Sequence, residues 1–237
     1  MRTYRSITSQ TCTDFEWIVV DGESKDDTMA FLRGQDSPYL HWISEPDHGL
    51  YDAMNKGIEM AGGEYLLFLN AGDELAGPDV LEKTTATIKA EDRPDLLYGN
   101  SYERTIDGQL HKKISGPYRR IWYGMFTHHQ SIFYKRSTVG SLRYRLEYPI
   151  CSDYAFTGEV LARSTDIVQL PFEVSIFAQG GLSFQEEEQG ERDHWKIKKE
   201  IFHMSLISRL CIRWVHSITR RIRQHMPRVY RWLRFSK

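Results

Sequence analysis

Polar side chains that could bind a ligand follow two short apolar runs of the sequence. Asp21 closes the run 15–20, and the turn Asn70-Ala71-Gly72-Asp73 follows the run 65–69. Ligands of open α/β sheets bind beyond the carboxyl ends of the strands, so both positions are candidate sites. The alternative for the second position is a plain turn, because Asn, Gly and Asp dominate turns in any case.

Two further segments carry side chains that could do chemistry. Asp153 follows Ser152 at the predicted start of a helix over 154–163, where a carboxylate can act as a general base. The alternative is a helix start that Ser152 caps, with no chemistry at Asp153. His128, His129 and Gln130 precede a predicted strand over 132–134. Adjacent histidines on a strand point to opposite faces, so they make a poor metal pair.

The elements around these residues alternate between β and α. Apolar residues at helical spacing predict a helix from Asp52 to Ala61, with Asp52 near its start and Gly62 and Gly63 ending it in a left-handed conformation. The unbroken apolar run from Tyr65 to Leu69 predicts a strand buried on both faces of a parallel sheet. Further predicted helices run from Ser24, as the N-cap, to Gly34 and over 78–88, and further strands over 15–20, 39–44 and 96–98.

Antiparallel β structure is predicted after this alternating part. The segment Ser101 to Lys113 predicts a hairpin that turns at Asp107-Gly108. An alternating half followed by an antiparallel half suggests a nucleotide-binding half and then an acceptor half.

Composition indicates a globular chain in a reducing compartment. The 237 residues are 41% hydrophobic and 13% aromatic, enough for one sizeable core. No apolar run approaches the roughly 18 residues of a spanning helix. Three widely spaced cysteines argue against a disulfide framework and fit the cytoplasm.

The last part of the chain differs in charge from the rest. Beyond Gly190 there are 13 Lys and Arg against three acidic residues. Apolar residues of the segment 206–226 fall on one helical face and arginines lie off it, which predicts a basic amphipathic helix at a membrane surface with anionic lipids. The alternative is that this apolar face packs on the rest of the chain or on a second subunit. Nucleic acid is not favoured, since no base-reading motif accompanies the arginines.

Five ordered blocks of this sequence resemble family 2 glycosyltransferases, with colanic acid and related exopolysaccharide glycosyltransferases as the nearest subgroup. The match covers about Arg5 to Ser183, and its blocks are WIVVDGESKDDT, SEPDHGLYDAMNKGIEMAGGEYLLFLNAGD, HHQSIFYKR, SDYAF and QGGLS. The resemblance implies an α/β GT-A fold, a Rossmann-like mixed sheet flanked by helices, and the residue pattern adds the C-terminal basic helical extension. We therefore expect the GT-A domain at 1–189, with a nucleotide-sugar half at 1–100 and an acceptor half at 101–189, followed by the basic tail at 190–237.

The resemblance also implies roles for single residues. Asp21 takes the position that contacts the nucleotide base or ribose, and Asp47 lies in a loop over the donor sugar. Asn55 reaches toward the donor. One of His129 and Gln130 lies near the diphosphate or acceptor, although a buried, hydrogen-bonded histidine is an equal alternative.

The metal and base positions follow from the same resemblance. Asn70 to Asp73 stands where the family has Asp-x-Asp, but Asn70 is uncharged and Gly72 offers no ligand. Asp73 is therefore the one carboxylate left for Mn²⁺ or Mg²⁺, whose other ligands can be phosphates and waters. Asp153 matches the base of an inverting transfer.

The function that these positions imply is transfer of a sugar from a nucleotide-diphospho-sugar to a lipid-linked or polysaccharide acceptor, on the cytoplasmic face of a bacterial membrane. Two alternatives stay open. A nucleotidyltransferase should show a glycine-rich basic loop near its start, and a non-catalytic scaffold would keep the fold without needing Asp73 and Asp153. Because family members begin with an apolar strand, we also expect a central strand to be missing before Met1, beside the strand that ends at Asp21.

Overall fold

The computed structural model describes residues 1–35, 37–181 and 186–226, and for residues 220–225 it describes the backbone alone. Helices and strands alternate through the first half of the chain and surround a mixed sheet. The helices are α1 (Arg2–Thr8), α2 (Thr28–Arg33), α3 (Leu50–Met60), α4 (Val80–Ala90), α5 (Arg136–Val139), α6 (Ser152–Arg163), α7 (Glu187–Glu200) and α8 (Leu206–His225). The strands are β1 (Trp17–Asp21), β2 (Leu40–Ser44), β3 (Tyr65–Leu66), β4 (Glu74–Leu75), β5 (Leu96–Arg104), β6 (Leu110–Lys113), β7 (Ile132–Lys135) and β8 (Ile167–Ala178).

The strands form two separate sheets. The larger sheet has the order β3-β7-β5-β8-β4, with β6 paired to β5, and only β5 and β8 run parallel in it. β1 and β2 form a parallel pair of their own. Within the described ranges no strand joins β1 to β3. That a central strand beside β1 is missing before Met1 stays a prediction.

Helix α3 follows its predicted periodicity. Tyr51, Met54 and Ile58 are its buried residues, and they pack into the core formed with β5, β7 and α6. The helix begins at Leu50, so Asp52 lies in its first turn as expected. The predicted ending was wrong. Ala61 ends α3 in an extended conformation, and both following glycine amides donate to Oε1 of Glu16, at 2.8 and 2.6 Å.

The strand predicted over 65–69 is much shorter than expected. Only Tyr65 and Leu66 pair, and they pair antiparallel with β7. Leu66 is buried, and Leu67 and Leu69 pack partly buried on the second side of the sheet without strand pairing. The apolar run therefore marks a core segment and not a doubly buried parallel strand.

Three smaller predictions are corrected by local hydrogen bonds. Ser24 does not cap α2, because that helix begins at Thr28 and the Ser24 amide donates to Asp21. Ser152 does not cap α6 either, because it is the first residue of that helix and is fully buried. His129 lies in a 3₁₀ turn over 129–131 and not on a strand. The hairpin at Asp107 is confirmed by the β5–β6 pairing.

Helix α7 packs on the start of α6, and α8 packs on α7. Asp193 of α7 is fully buried and accepts the backbone amides of Ile150 and Cys151, at 2.9 and 3.2 Å. Ile197 is buried against the same segment. The division at residue 189 thus falls within α7, and the separate tail stays a prediction. None of the described helices has the length and apolar content that a bilayer crossing needs.

Candidate active site

Asp21 and Asp47 come together where β1 and β2 end. Oδ2 of the buried Asp21 accepts the Ser44 hydroxyl at 2.7 Å and the Ser24 amide at 3.1 Å. Burial raises the pKa of Asp21, but these hydrogen bonds outweigh it and the net pKa lies below the ordinary value. The Asp47 carboxylate lies against Gly22, where a Cβ would be 2.3 Å from Oδ2. Two carboxylates therefore flank one backbone segment.

Asp73 and Gln130 form a second group at the end of the larger sheet. Asp73 accepts the Ala178 amide on Oδ1 and the Gln130 side-chain amide on Oδ2, both at 2.8 Å. The side chain is 3% exposed, and burial raises its pKa to about 6. Asp73 therefore ties the Asn70 to Asp73 turn to β8.

Helix α1 holds the other side of this turn. The Gly72 amide donates to the Thr3 hydroxyl at 2.9 Å, and the Leu75 amide donates to Ser6 at 3.1 Å. Gly72 has a φ of 100°, which favours glycine. The missing side chain at this position is thus a requirement of the turn.

A divalent cation at this turn would have few protein ligands. No three His, Cys, Asp or Glu side chains among the described residues are arranged to hold a metal ion. Both oxygens of Asp73 already accept N–H groups, yet each keeps a lone pair. The turn fits a site with one protein carboxylate, in which phosphates and waters supply the remaining ligands.

Asp153 lies in the first turn of α6 beside Tyr51 of α3. Oδ1 of Asp153 accepts the Tyr51 hydroxyl at 3.2 Å and the Tyr154 amide at 2.8 Å. Burial raises the pKa of Asp153 to about 6, and these two hydrogen bonds offset only part of that rise. A carboxyl that titrates near neutral pH is suited to take a proton and to release it again.

Asn55 and His129 both hydrogen-bond Tyr144, and for His129 this matches the alternative of a buried, hydrogen-bonded histidine. Asn55 donates to the Tyr144 carbonyl at 2.9 Å and accepts the Tyr144 amide at 2.7 Å. Nε2 of His129 lies 2.7 Å from the Tyr144 hydroxyl, its ring stacks on Phe68, and burial lowers its pKa to about 3. Both side chains therefore support Tyr144, whose ring stacks on Tyr51 at 5.5 Å.

Sequence reasoning missed two residues near these groups. Tyr51 contacts Asp153, which is 102 residues away in the sequence, so no local pattern points to this pair. Glu103 is 1% exposed and lies 3.0 Å from Nε2 of His128. A glutamate is almost never fully buried without a partner, so its place near the end of β5 was the one feature of the sequence that could have marked Glu103 as a candidate.

Comparison with known proteins decides the family. The family model described as Glycosyl transferase family 2 matches residues 1–155. The chain belongs to glycosyltransferase family 2. Among curated proteins, a PGL/p-HBAD biosynthesis glycosyltransferase of Mycobacterium bovis BCG is 35% identical over 155 residues, 64% of this chain and 60% of that protein. An uncharacterised glycosyltransferase of Mycobacterium tuberculosis H37Rv is 34% identical over 159 residues, 65% of this chain and 61% of that protein. The chain thus spans about three fifths of these relatives.

Solved structures give the fold of this family 2 chain. The crystal structure of Staphylococcus aureus TarS 1–349 matches with a TM-score of 0.64 at 16% identity, covering 98% of this chain and 69% of TarS 1–349. A mannosyltransferase of Pyrobaculum calidifontis, solved with GDP-Man and Mn²⁺, matches with a TM-score of 0.60 at 16% identity, covering 82% and 58%. The fold is GT-A, as predicted.

Proposed function

We propose that this chain is an inverting glycosyltransferase that moves a sugar from a nucleotide-diphospho-sugar to a glycan acceptor. The observation that carries the proposal is Asp153, a carboxyl with a raised pKa, held by α3 and α6 in a family 2 domain. TarS has been solved with UDP-GlcNAc, and the mannosyltransferase with GDP-Man, so a nucleotide-sugar donor suits this fold.

In the proposed reaction Asp153 takes the proton of the acceptor hydroxyl. The acceptor O–H bond breaks as its oxygen bonds the anomeric carbon, and the bond from that carbon to the diphosphate breaks on the opposite side. The anomeric configuration inverts, and the nucleoside diphosphate leaves with the electron pair. Asp21 and Asp47 flank the place for the nucleoside and donor sugar, and Gln130 holds the Asp73 turn in place.

The donor diphosphate carries negative charge that a divalent cation would offset. Asp73 is the described side chain that would hold Mn²⁺ or Mg²⁺, with donor phosphates and waters as the other ligands. We expect added Mn²⁺ to increase transfer.

The apolar face of α8 points away from the protein body, which supports a membrane-bound acceptor. Ile207 is 75% exposed and Trp214 is 68% exposed. The opposite face holds the helix to α7, since Ile212 is buried and Arg209 lies 4.4 Å from the Trp195 ring. These exposed fractions favour an external partner over packing of this stripe on the described part of the chain. Arg209 and Arg213 both lie over Trp195 and serve this packing. The basic residues beyond 219 lie outside the described side chains.

An aromatic loop adjoins this helix. The ring of Tyr123 lies 4.9 Å from that of His216 in α8, and Trp122 beside it is 46% exposed. Arg119 and Arg120 are exposed in the same loop. Aromatic and arginine side chains are typical of proteins at a membrane interface. We therefore propose that the α8 face and this loop bind the inner surface of the cytoplasmic membrane, where a lipid-linked acceptor of exopolysaccharide, capsule or O-antigen synthesis, colanic acid among them, would be found.

Two experiments test this proposal. For the reaction, the purified chain is incubated with a panel of nucleotide sugars, with and without Mn²⁺. We expect one donor to be consumed in the presence of a lipid-linked acceptor, and consumption of none would contradict the proposed activity.

For the membrane, Trp214→Glu is compared with Ile106→Glu, which changes an 80% exposed residue in the β5–β6 turn. Trp214→Glu should weaken binding to vesicles that contain anionic lipid, while Ile106→Glu should leave it unchanged. Equal binding by both variants would contradict the membrane proposal. If Trp214→Glu instead converts a dimer to a monomer, a second copy of the chain covers the face.

A further inference from the structure

The Tyr51 hydroxyl has one proton and two acceptors within reach. Its oxygen lies 2.7 Å from the Ile150 carbonyl oxygen and 3.2 Å from Oδ1 of Asp153. A carbonyl can only accept, and an ionised carboxylate attracts a hydroxyl proton more strongly than a neutral carbonyl does. The proton can therefore point to Asp153 when that carboxyl is ionised and to Ile150 when it is protonated. In neither state is the hydroxyl left without an acceptor.

Both hydrogen bonds that other described residues make to this carboxyl end on the same oxygen. The Tyr51 hydroxyl and the Tyr154 amide donate to Oδ1. Oδ2 is thereby the oxygen left to face an acceptor hydroxyl. Because hydrogen bonds on Oδ1 fix the orientation of the carboxyl group, the lone pairs of Oδ2 point in one direction.

The Tyr51 ring is itself fixed by a buried aromatic stack. The ring is 6% exposed and stacks on Tyr144 with an interplanar angle of 19°. Asn55 holds the Tyr144 backbone through two hydrogen bonds, and His129 bonds its hydroxyl. The phenol oxygen can therefore move little relative to α6.

We propose that Tyr51 is a positioning residue for the transfer, which ties Oδ1 of Asp153 so that Oδ2 takes the acceptor proton. This inference rests on the proposed function, in which Asp153 is the base. In the step, the acceptor O–H bond breaks and an O–H bond forms on Oδ2. Tyr51 gains and loses no proton, and its hydroxyl turns from Asp153 toward Ile150 as the charge on the carboxyl disappears.

The inference predicts the direction in which the pH dependence of transfer shifts when the Tyr51 hydroxyl is removed. A donor to the ionised form of a carboxyl lowers its pKa, so the Tyr51 bond counteracts the rise that burial causes at Asp153. Removing the hydroxyl should raise the pKa of Asp153 further. The acid limb of transfer would then move to higher pH.

The test compares Tyr51→Phe with Tyr65→Phe. Tyr65 also donates to a backbone carbonyl at 2.7 Å, that of Pro94, and has no bond to an acid in the described structure, so its variant controls for the loss of a tyrosine hydroxyl. For Tyr51→Phe we expect the acid limb of kcat to rise by about one pH unit and kcat at pH 8 to fall by about tenfold, the usual scale for a bond to a charged group. The donor KM should stay unchanged, and Tyr65→Phe should match the wild type in every kinetic measurement.

A double variant separates this inference from the proposal on which it rests. In an Asp153→Asn background, Tyr51→Phe should cause no further loss, because its effect passes through the carboxylate. The inference would be overturned if Tyr51→Phe left the pH profile of transfer unchanged, or if it lowered kcat equally with Asp153 and with Asn at position 153. The proposed function would still stand in that case, provided that Asp153→Asn alone is inactive. Full activity of Asp153→Asn would instead overturn the proposed function.

Discussion

Replacement of Asp153 by Asn should lower activity and raise stability at the same time. Burial raises the pKa of Asp153 from 3.8 to about 6. One pKa unit corresponds to about 1.4 kcal/mol, so the ionised carboxylate destabilises the fold by at most about 3 kcal/mol. Because Asp153 is partly exposed, solvent screening reduces the expected gain to about 1–2 kcal/mol. Asn fits the place, since its Oδ1 can accept both the Tyr51 hydroxyl and the Tyr154 amide.

The sign of the pH dependence follows from the raised pKa. The protonated form contributes stability that is complete below pH 3.8 and is lost as the pH rises through about 6. Asn at position 153 does not titrate, so the Tm of Asp153→Asn should equal that of the wild type near pH 4 and exceed it at pH 8. The gain in Tm at pH 8 should be about 2–8 °C for a domain of this size.

The assay pairs thermal melting at both pH values with transfer at pH 8. Transfer should fall by about 10² to 10⁴, the range typical of a general base. Asp14→Asn, which changes an exposed aspartate, should alter neither measurement. A lower Tm of Asp153→Asn at pH 8, or turnover within about tenfold of the wild type, would refute the reasoning.

Three further variants test other parts of the site and fold. Gly22→Ala places a Cβ 2.3 Å from Oδ2 of Asp47, so titration calorimetry should show donor binding weakened by about tenfold or more. Gly124→Ala is the control, since Gly124 has open space around it and its variant should bind donor normally. Asp73→Asn leaves one N–H donor facing an amide, which costs about 1–3 kcal/mol. Because burial raises the pKa of Asp73 to about 6 and Asn does not titrate, chemical denaturation should show a smaller loss at pH 8 than at pH 4. Burial lowers the pKa of Lys198 from 10.5 to about 8, so its ammonium costs stability below pH 8. Lys198→Met should therefore raise the Tm at pH 7, and this gain should vanish near pH 10.5; a constant gain would exclude a charge effect.

Local periodicity predicted much of the fold. The spacing of Met54 and Ile58 gave α3, and Asp107-Gly108 gave the hairpin, because each depends on residues close in sequence. The strand after α3 could not be delimited in this way. Its length depends on register with β7, and within the run 65–69 the structure pairs Tyr65 and Leu66 with that strand.

The candidate site shows a different limit. The sequence shows that Asn55 and His129 can hydrogen-bond, but it does not show which partner each one meets. Tyr144, 89 residues from Asn55 in the sequence, is the hydrogen-bond partner of both side chains. The amphipathic character of α8 was likewise predicted, whereas its orientation depends on Trp195 in α7, which lies against Arg209.

The anomeric configuration of the product tests the central claim most directly. The purified chain is given the nucleotide sugar that it consumes, and the glycosidic bond formed on a lipid-linked acceptor is assigned by NMR for the wild type and for Asp153→Asn. The proposed mechanism predicts an inverted bond with the wild type and almost no product with Asp153→Asn. Retained configuration, or equal amounts of product from both proteins, would contradict it.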